Sequence, residues 1–192
     1  MKRSSQWLLA AVLIGGCTSV QAQDRYHEQE NKAPTPSIVQ IIALDECDPT
    51  TFNAPPPAVT PGPDFCKNVA LGAITPLSKL FDDASKGHPD PNWDFEPDEV
   101  KIKEGTILRV TDEGGEPHTF TEVKQFGGGF LTGLNAPGEE TVPECNGGFG
   151  NVAVARTRIL QGSTVEIPAL SKGEHLYQCC IHPWMHVKVD VK

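Results

Sequence analysis

Near its C-terminus the chain presents a thiol, an imidazole and a thioether within seven residues, at Cys179, His182 and Met185 of the run Tyr177-Gln178-Cys179-Cys180-Ile181-His182-Pro183-Trp184-Met185. Such soft and borderline donors together satisfy both Cu(I) and Cu(II), and a trigonal copper centre with a long axial thioether needs two imidazoles beside the thiolate. The fold must therefore bring a second histidine from elsewhere. His118, in Glu116-Pro117-His118-Thr119-Phe120-Thr121, is the best placed donor. Apart from the initiator, Met185 is the only methionine. A lone methionine can simply fill a gap in a core, but its position three residues beyond a Cys-x-x-His favours a ligand.

The pattern around these residues is β. Ser37–Leu44 is rich in β-branched residues and predicts a first strand. Val100 to Lys103 alternates apolar and basic residues, and after a turn at Glu104-Gly105 a second strand covers Thr106–Thr111. Gly114-Gly115-Glu116-Pro117 forms a tight turn, and the proline pushes Glu116 toward extended backbone. His118 then opens a strand, HTFTEV, and further strands are expected over Val152–Leu160, Ser163–Pro168 and Glu174–Cys180. Val187, Val189 and Val191 alternate with His186, Lys188 and Asp190 in a half-buried final strand. Seven or eight short strands separated by turn signals make a β-sandwich.

Three stretches interrupt this pattern. Asp45–Lys67 holds six prolines and fits no regular element. Val69–Ser85 spaces Leu71, Ile74, Leu77, Leu80 and Phe81 for one short helix, broken near Pro76. Residues 124–151 form a long glycine-rich loop around Cys145, of a length that is functional or disordered. It is expected to fold over one end of the barrel. His88, His175 and His186 read as surface histidines.

Met1-Lys2-Arg3 followed by the apolar run Trp7–Ile14 reads as a secretory signal, too short to span a bilayer. Two processing sites compete. Val20-Gln21-Ala22 would release a chain starting at Gln23, whereas Ile14-Gly15-Gly16-Cys17 resembles a lipoprotein box that would acylate Cys17 and tether the protein to a membrane face. Either route is extracytoplasmic, in a bacterial periplasm or at a cell surface. Residues 23–36 read as a disordered tether, and 37–192 as one domain. Removal of residues 1–22, with Lys2 and Arg3 and no acid, takes the formal charge from −9 to −11. An acidic surface disfavours nucleic acid and steers a basic partner.

Six cysteines stand at 17, 47, 66, 145, 179 and 180. With Cys17 lipidated or removed and Cys179 holding metal, four remain, and they pair as Cys47 with Cys66 and Cys145 with Cys180. A vicinal bridge between Cys179 and Cys180 is the strained alternative.

Taken together, Phe95-Glu96-Pro97, the strand before Gly105, Pro117-His118-Thr119-Phe120, Gly173-Glu174-His175-Leu176-Tyr177 and Cys179-x-x-His182-x-x-Met185 resemble the cupredoxins, and the compact ligand loop is most similar to the amicyanin and plastocyanin branch. The resemblance covers 93–192 and the strand at 37–44. Segments 45–90 and 124–151 look like additions. It implies an all-β, cupredoxin-like Greek-key β-sandwich with one short helix and a long glycine-rich loop. It implies one type 1 copper ion held by His118, Cys179 and His182 with Met185 axial, in a one-electron carrier that is not an enzyme. The histidine and methionine fall three and six residues after Cys179, the spacing of amicyanin, and only two and five after Cys180. The family further implies that electrons leave by the outer edge of His182, ringed by Pro183 and Trp184. The expected partner is a redox protein such as a cytochrome or dehydrogenase, met by a monomer. Copper sequestration without a shuttle role is the alternative reading. Gln178 and Cys180 flank Cys179, so the histidine that multicopper oxidases and copper nitrite reductases place beside that cysteine is missing. So is the second cysteine, four residues away, of a binuclear centre.

Overall fold

The structure is a computed structural model that describes residues 36–52, 66 and 74–192. The signal segment, Cys17, the tether up to its last residue, and the first part of the expected helix, 69–73, lie outside the described residues. In chain order the strands are β1 (Ile38–Leu44), β2 (Asp94–Glu96), β3 (Glu99–Ile102), β4 (Ile107–Asp112), β5 (His118–Thr119), β6 (Thr121–Val123), β7 (Arg158–Ile159), β8 (Thr164–Ile167), β9 (Gly173–Gln178) and β10 (His186–Val191). The helices are α1 (Pro49–Phe52), α2 (Leu77–Ser85) and α3 (Val152–Arg156).

The fold is an all-β sandwich. One four-stranded sheet has the order β2-β1-β4-β8, the other β3-β10-β9-β6, and β5 pairs with β7 in a short two-stranded ribbon. Each large sheet contains one parallel pair. β1 runs with β4, setting Val39 beside Leu108 and Ile41 beside Val110, and β10 runs with β3. The alternation in β10 works as the sequence predicts: Val187, Val189 and Val191 are buried and Lys188 is exposed. Each such valine contributes roughly 1.5–3 kcal/mol relative to an exposed one. Ile41, Ala43, Leu108 and Val110 of the first sheet join Val100, Tyr177, Val187 and Val189 of the second in one core. Phe120 stacks on Tyr177 with ring centroids 4.4 Å apart, an arrangement that adds about 0.5–1.5 kcal/mol to burial alone.

The structure departs from the sequence reading at three places. First, one short helix was expected and three stand among the described residues. The proline-rich stretch after Asp45 holds one, the single turn α1. Pro49 supplies the preset φ for a first helical position, while Asp48 accepts from the Thr50 N–H at 2.9 Å and the Thr51 hydroxyl at 3.0 Å. Second, the apolar run at Val152 begins as α3 and not as a strand. Asn151 caps it by accepting from the Ala153 N–H at 3.0 Å, and the alanines at 153 and 155 favour helix over the β-branched valines at 152 and 154. Third, HTFTEV is split. The Phe120 N–H bonds to Thr157 O at 2.9 Å, so the chain passes from the β5–β7 ribbon to the β6 edge of the second sheet at that residue. Within segment 45–90, Asp45 and Phe52 are buried.

The glycine-rich loop is tied to the β9 end. Cys145 is disulfide-bonded to Cys180, and Cys47 to Cys66. Gln178 accepts from the Gly127 N–H at 3.1 Å and donates to Gly127 O at 2.9 Å, and the Phe130 N–H bonds to Cys180 O at 2.9 Å. Gly129 lies so close to the Cys180 carbonyl that a side chain there would collide with it, which explains a glycine at that point.

Candidate metal centre

His118 comes from β5, where the chain has just left the turn at residues 113–117, and Cys179, His182 and Met185 come from the loop joining β9 to β10. That loop is closed by its own backbone: the Cys179 N–H bonds to Met185 O and the Met185 N–H to His182 O, both at 3.0 Å. The Cys179 Sγ lies 3.9 Å from His118 Nδ1 and 3.8 Å from His182 Nδ1, and the two Nδ1 atoms are 3.3 Å apart. A point equidistant from the three atoms of that triangle is about 2.1 Å from each, the length of metal–imidazole and slightly under that of metal–thiolate bonds, about 2.0–2.1 and 2.3 Å. The donor set fits one metal ion. Met185 is fully buried in the same core as Cys179.

The alternation of neighbouring residues separates the two adjacent cysteines. Cys179 is the free cysteine among the described residues, while Cys180 turns to Cys145 in a second apolar cluster with Val123, Val142 and Val154. The Cys179 sulfur also accepts the N–H groups of Thr119 and His182, each at 3.4 Å. Burial pushes the thiol up, but hydrogen bonds and charge from His118 and His182 override it and hold it well below the usual thiol range. The imidazoles respond in the opposite sense. Burial pulls His118 down, yet Asp45 and Cys179 carry it well above the ordinary histidine value. Burial likewise opposes the shift of His182, which Glu116 and Cys179 raise to about 9. A cation bound among these donors would displace the protons they carry, which makes its affinity depend on pH.

Two carboxylates complete the centre, and the sequence reading missed both. Asp45 follows β1 directly. Its Oδ1 accepts from Gly115 N–H at 2.8 Å and Cys47 N–H at 3.2 Å, and its Oδ2 accepts from Glu116 N–H at 3.0 Å and sits 2.8 Å from His118 Nε2. Burial would raise the Asp45 carboxyl, but His118 and these N–H groups hold it below the usual carboxylate range. A side chain on Gly114 would strike the Asp45 carboxylate, which accounts for the glycine there. Glu116 Oε2 lies 2.9 Å from His182 Nε2. This is a charge contact and not an aligned hydrogen bond, since neither atom meets hydrogen-bond geometry with any partner among the described residues. The detectable signal was an acid at a strand end and the glutamate of Gly-Gly-Glu-Pro-His.

An exposed edge of His182 was expected and is not found. The ring is completely buried, with the Trp93 ring edge-on at 4.7 Å, the Trp184 ring at 5.6 Å and Glu116 against its outer nitrogen. Pro183 is buried as well, and Trp184 is half-buried, its Nε1 donating to Trp93 O at 3.0 Å. Phe52 stacks behind Trp93 at 5.6 Å. His186 departs from its surface reading, because its ring stacks on Phe126 with centroids 3.9 Å apart and planes at 8°. His175 is partly exposed and paired with Glu122, and His88 is exposed.

No protein-family model and no curated protein matches the chain. Solved structures do. A purple cupredoxin from Nitrosopumilus maritimus is 14% identical with a TM-score of 0.36, covering 80% of this chain and 99% of its own. A reduced tryptophan-to-tyrosine mutant of amicyanin is 19% identical with a TM-score of 0.33, covering 52% of this chain and 73% of its own. A reduced proline-to-phenylalanine amicyanin mutant is 20% identical with a TM-score of 0.32, covering 50% and 71%. At these scores the likeness adds nothing to what strand order and donor geometry say by themselves.

Proposed function

We propose that the chain is an extracytoplasmic, mononuclear copper protein that carries one electron at a time. His118, Cys179, His182 and Met185 would hold the ion. The observation that carries this reading is the convergence of two imidazole Nδ1 atoms and one thiolate sulfur on a point about 2.1 Å from each, a donor set suited to a blue-copper site. Copper, when bound, would supply a Cu(I)/Cu(II) couple.

The chain's own residues do the rest. The Thr119 and His182 N–H groups fix the Cys179 sulfur and draw charge from it. The closed turn from Cys179 to Met185 sets the spacing of the loop ligands, and Pro183 stiffens it. Trp93, Phe52 and Trp184 exclude water from the His182 side. Rigid donors in a dry site need little rearrangement when charge changes by one, which lowers the cost of transfer. The partly exposed Trp184 is then the outermost ring of the ligand loop and the contact for a redox protein such as a cytochrome or dehydrogenase. Attachment through an acylated Cys17, or release after Ala22, would place a monomer at a membrane face or free in the periplasm.

Titration of the purified protein with Cu(II) tests this reading. An intense visible thiolate-to-copper band should saturate at one ion per chain, bleach and return with reductant and oxidant, vanish in Cys179→Ser and persist in the double variant Cys145→Ser/Cys180→Ser. A colourless copper-loaded protein would contradict it.

The complete burial of His182 favours a second reading, a protein that sequesters copper without shuttling electrons. The rate of electron self-exchange separates the two: fast exchange supports the carrier, and an immeasurably slow one the store.

A further inference from the structure

Both imidazoles that face the Cys179 sulfur through Nδ1 present their other nitrogen to a buried carboxylate: His118 to Asp45 at 2.8 Å and His182 to Glu116 at 2.9 Å. Asp45 is 1% exposed and Glu116 4%. Carboxylates are seldom buried without partners, because desolvating one costs several kcal/mol. Asp45 is compensated by three backbone N–H groups besides His118. Glu116 is not compensated in this way. Its Oε2 and His182 Nε2 face each other, and neither makes an aligned hydrogen bond among the described residues, so an ion drawing on His182 is what would repay the burial. The turn preceding His118 is shaped around these contacts, since one backbone segment supplies Glu116, two of the N–H groups that grip Asp45, and the glycine that lets Asp45 approach.

We infer that Asp45 and Glu116 are positioning residues of the metal centre, which fix the planes of His118 and His182 and, as two buried negative charges, favour the more highly charged state of the ion. This inference rests on the copper reading. With one thiolate and two carboxylates around a doubly charged ion the centre carries a net charge of −1, and adding an electron makes it −2. In a dry site that second step is opposed far more than in water. The two N–H groups on the Cys179 sulfur act in the other direction by stabilising the electron-rich thiolate, and the carboxylates offset them. Partners of this kind on the remote nitrogen of a ligand histidine orient the ring and raise its basicity, and losing one typically costs 10–100-fold in metal affinity.

The decisive variant is Glu116→Gln, which keeps shape and removes charge. Asp45→Asn is the second, and Glu166→Gln, at an exposed ion pair with Arg109, controls for loss of a remote charge. Two readouts are needed. In a redox titration of the copper-loaded protein, E116Q and D45N should each shift the equilibrium toward the reduced state by about tenfold, about 59 mV for one electron, while E166Q leaves it in place. In a competition with a chelator for Zn(II), which has no redox chemistry, E116Q should lower affinity by about tenfold. E116Q protein that folds with both disulfides and binds Zn(II) as wild type, with unchanged potential, would overturn the inference even if D45N failed to fold. Colourless wild-type protein would instead bring down the copper reading, and the zinc titration would still decide whether Glu116 positions His182.

Discussion

The Trp184 indole nitrogen donates to the main-chain oxygen of Trp93 across 3.0 Å, and between them the two indoles cover the ring of His182. Trp93 is fully buried and Trp184 is not, so the pair forms a cover whose inner half packs and whose outer half faces water. Trp184→Phe keeps one aromatic ring and removes the indole N–H, for an expected loss of about 1 kcal/mol from the hydrogen bond. Trp93→Ala removes the packing and should cost about 3–5 kcal/mol. Urea midpoints measure both. If Trp93→Ala lost no more than Trp184→Phe, the inner indole would not be the structural half of the cover.

The bridge from Cys145 to Cys180 closes a sequence separation of 35 residues. Removing it in the double serine variant should lower stability by about 3–4 kcal/mol, and the 124–151 loop should become the first site of proteolytic cleavage. The neighbouring Cys179 keeps its backbone and N–H partners at Thr119, His182 and Met185. Metal binding should therefore survive, and limited proteolysis with mass spectrometry checks where the chain is cut.

Asp112, buried at the end of β4, provides a test by pH. Burial, with Asp45 nearby, pushes its carboxyl from the ordinary value of 3.8 up to about 7, against the opposing pull of His118. The folded protein thus holds this proton more tightly than the unfolded chain. The resulting stability is fully present below about pH 4 and is lost as pH rises through about 7. Asp112→Asn should not show this dependence, and the Gly114 N–H keeps an acceptor. In metal-free protein, the stability of Asp112→Asn relative to wild type should rise between pH 4 and 7 by on the order of 2–4 kcal/mol. Chemical unfolding across that range measures the difference, and a flat difference would contradict the account of Asp112.

Much of this centre was legible because short-range chemistry marks it. The residues that converge, Cys179 and His182, are marked by their spacing, and His118 by the proline before it. The valine alternation of β10 is a direct consequence of the two-residue period of a strand. Asp45 and Trp93 could not be read in this way. Asp45 depends on β1 pairing in parallel with β4, a long-range arrangement that sets the end of one strand beside the turn after the other, and Trp93 on the pairing of β1 with β2. The burial of His182 was missed for the same reason, since Trp93 and Glu116 reach it from separate parts of the chain. At α3 the failure was local: valines at 152 and 154 signal a strand, and the Asn151 cap with alternating alanines decides for helix. His186 looked outward by alternation, but its strand-end position lets Phe126 of the glycine-rich loop stack on it.

The central claim is that one ion draws donors from the middle and the end of the chain at once. X-ray absorption at the copper edge of the loaded protein tests it most directly. The account predicts two imidazole nitrogens and one short sulfur in the first shell, with one nitrogen lost in His118→Ala and the short sulfur lost in Cys179→Ser. A first shell without sulfur, or one unchanged by the removal of His118, would contradict it.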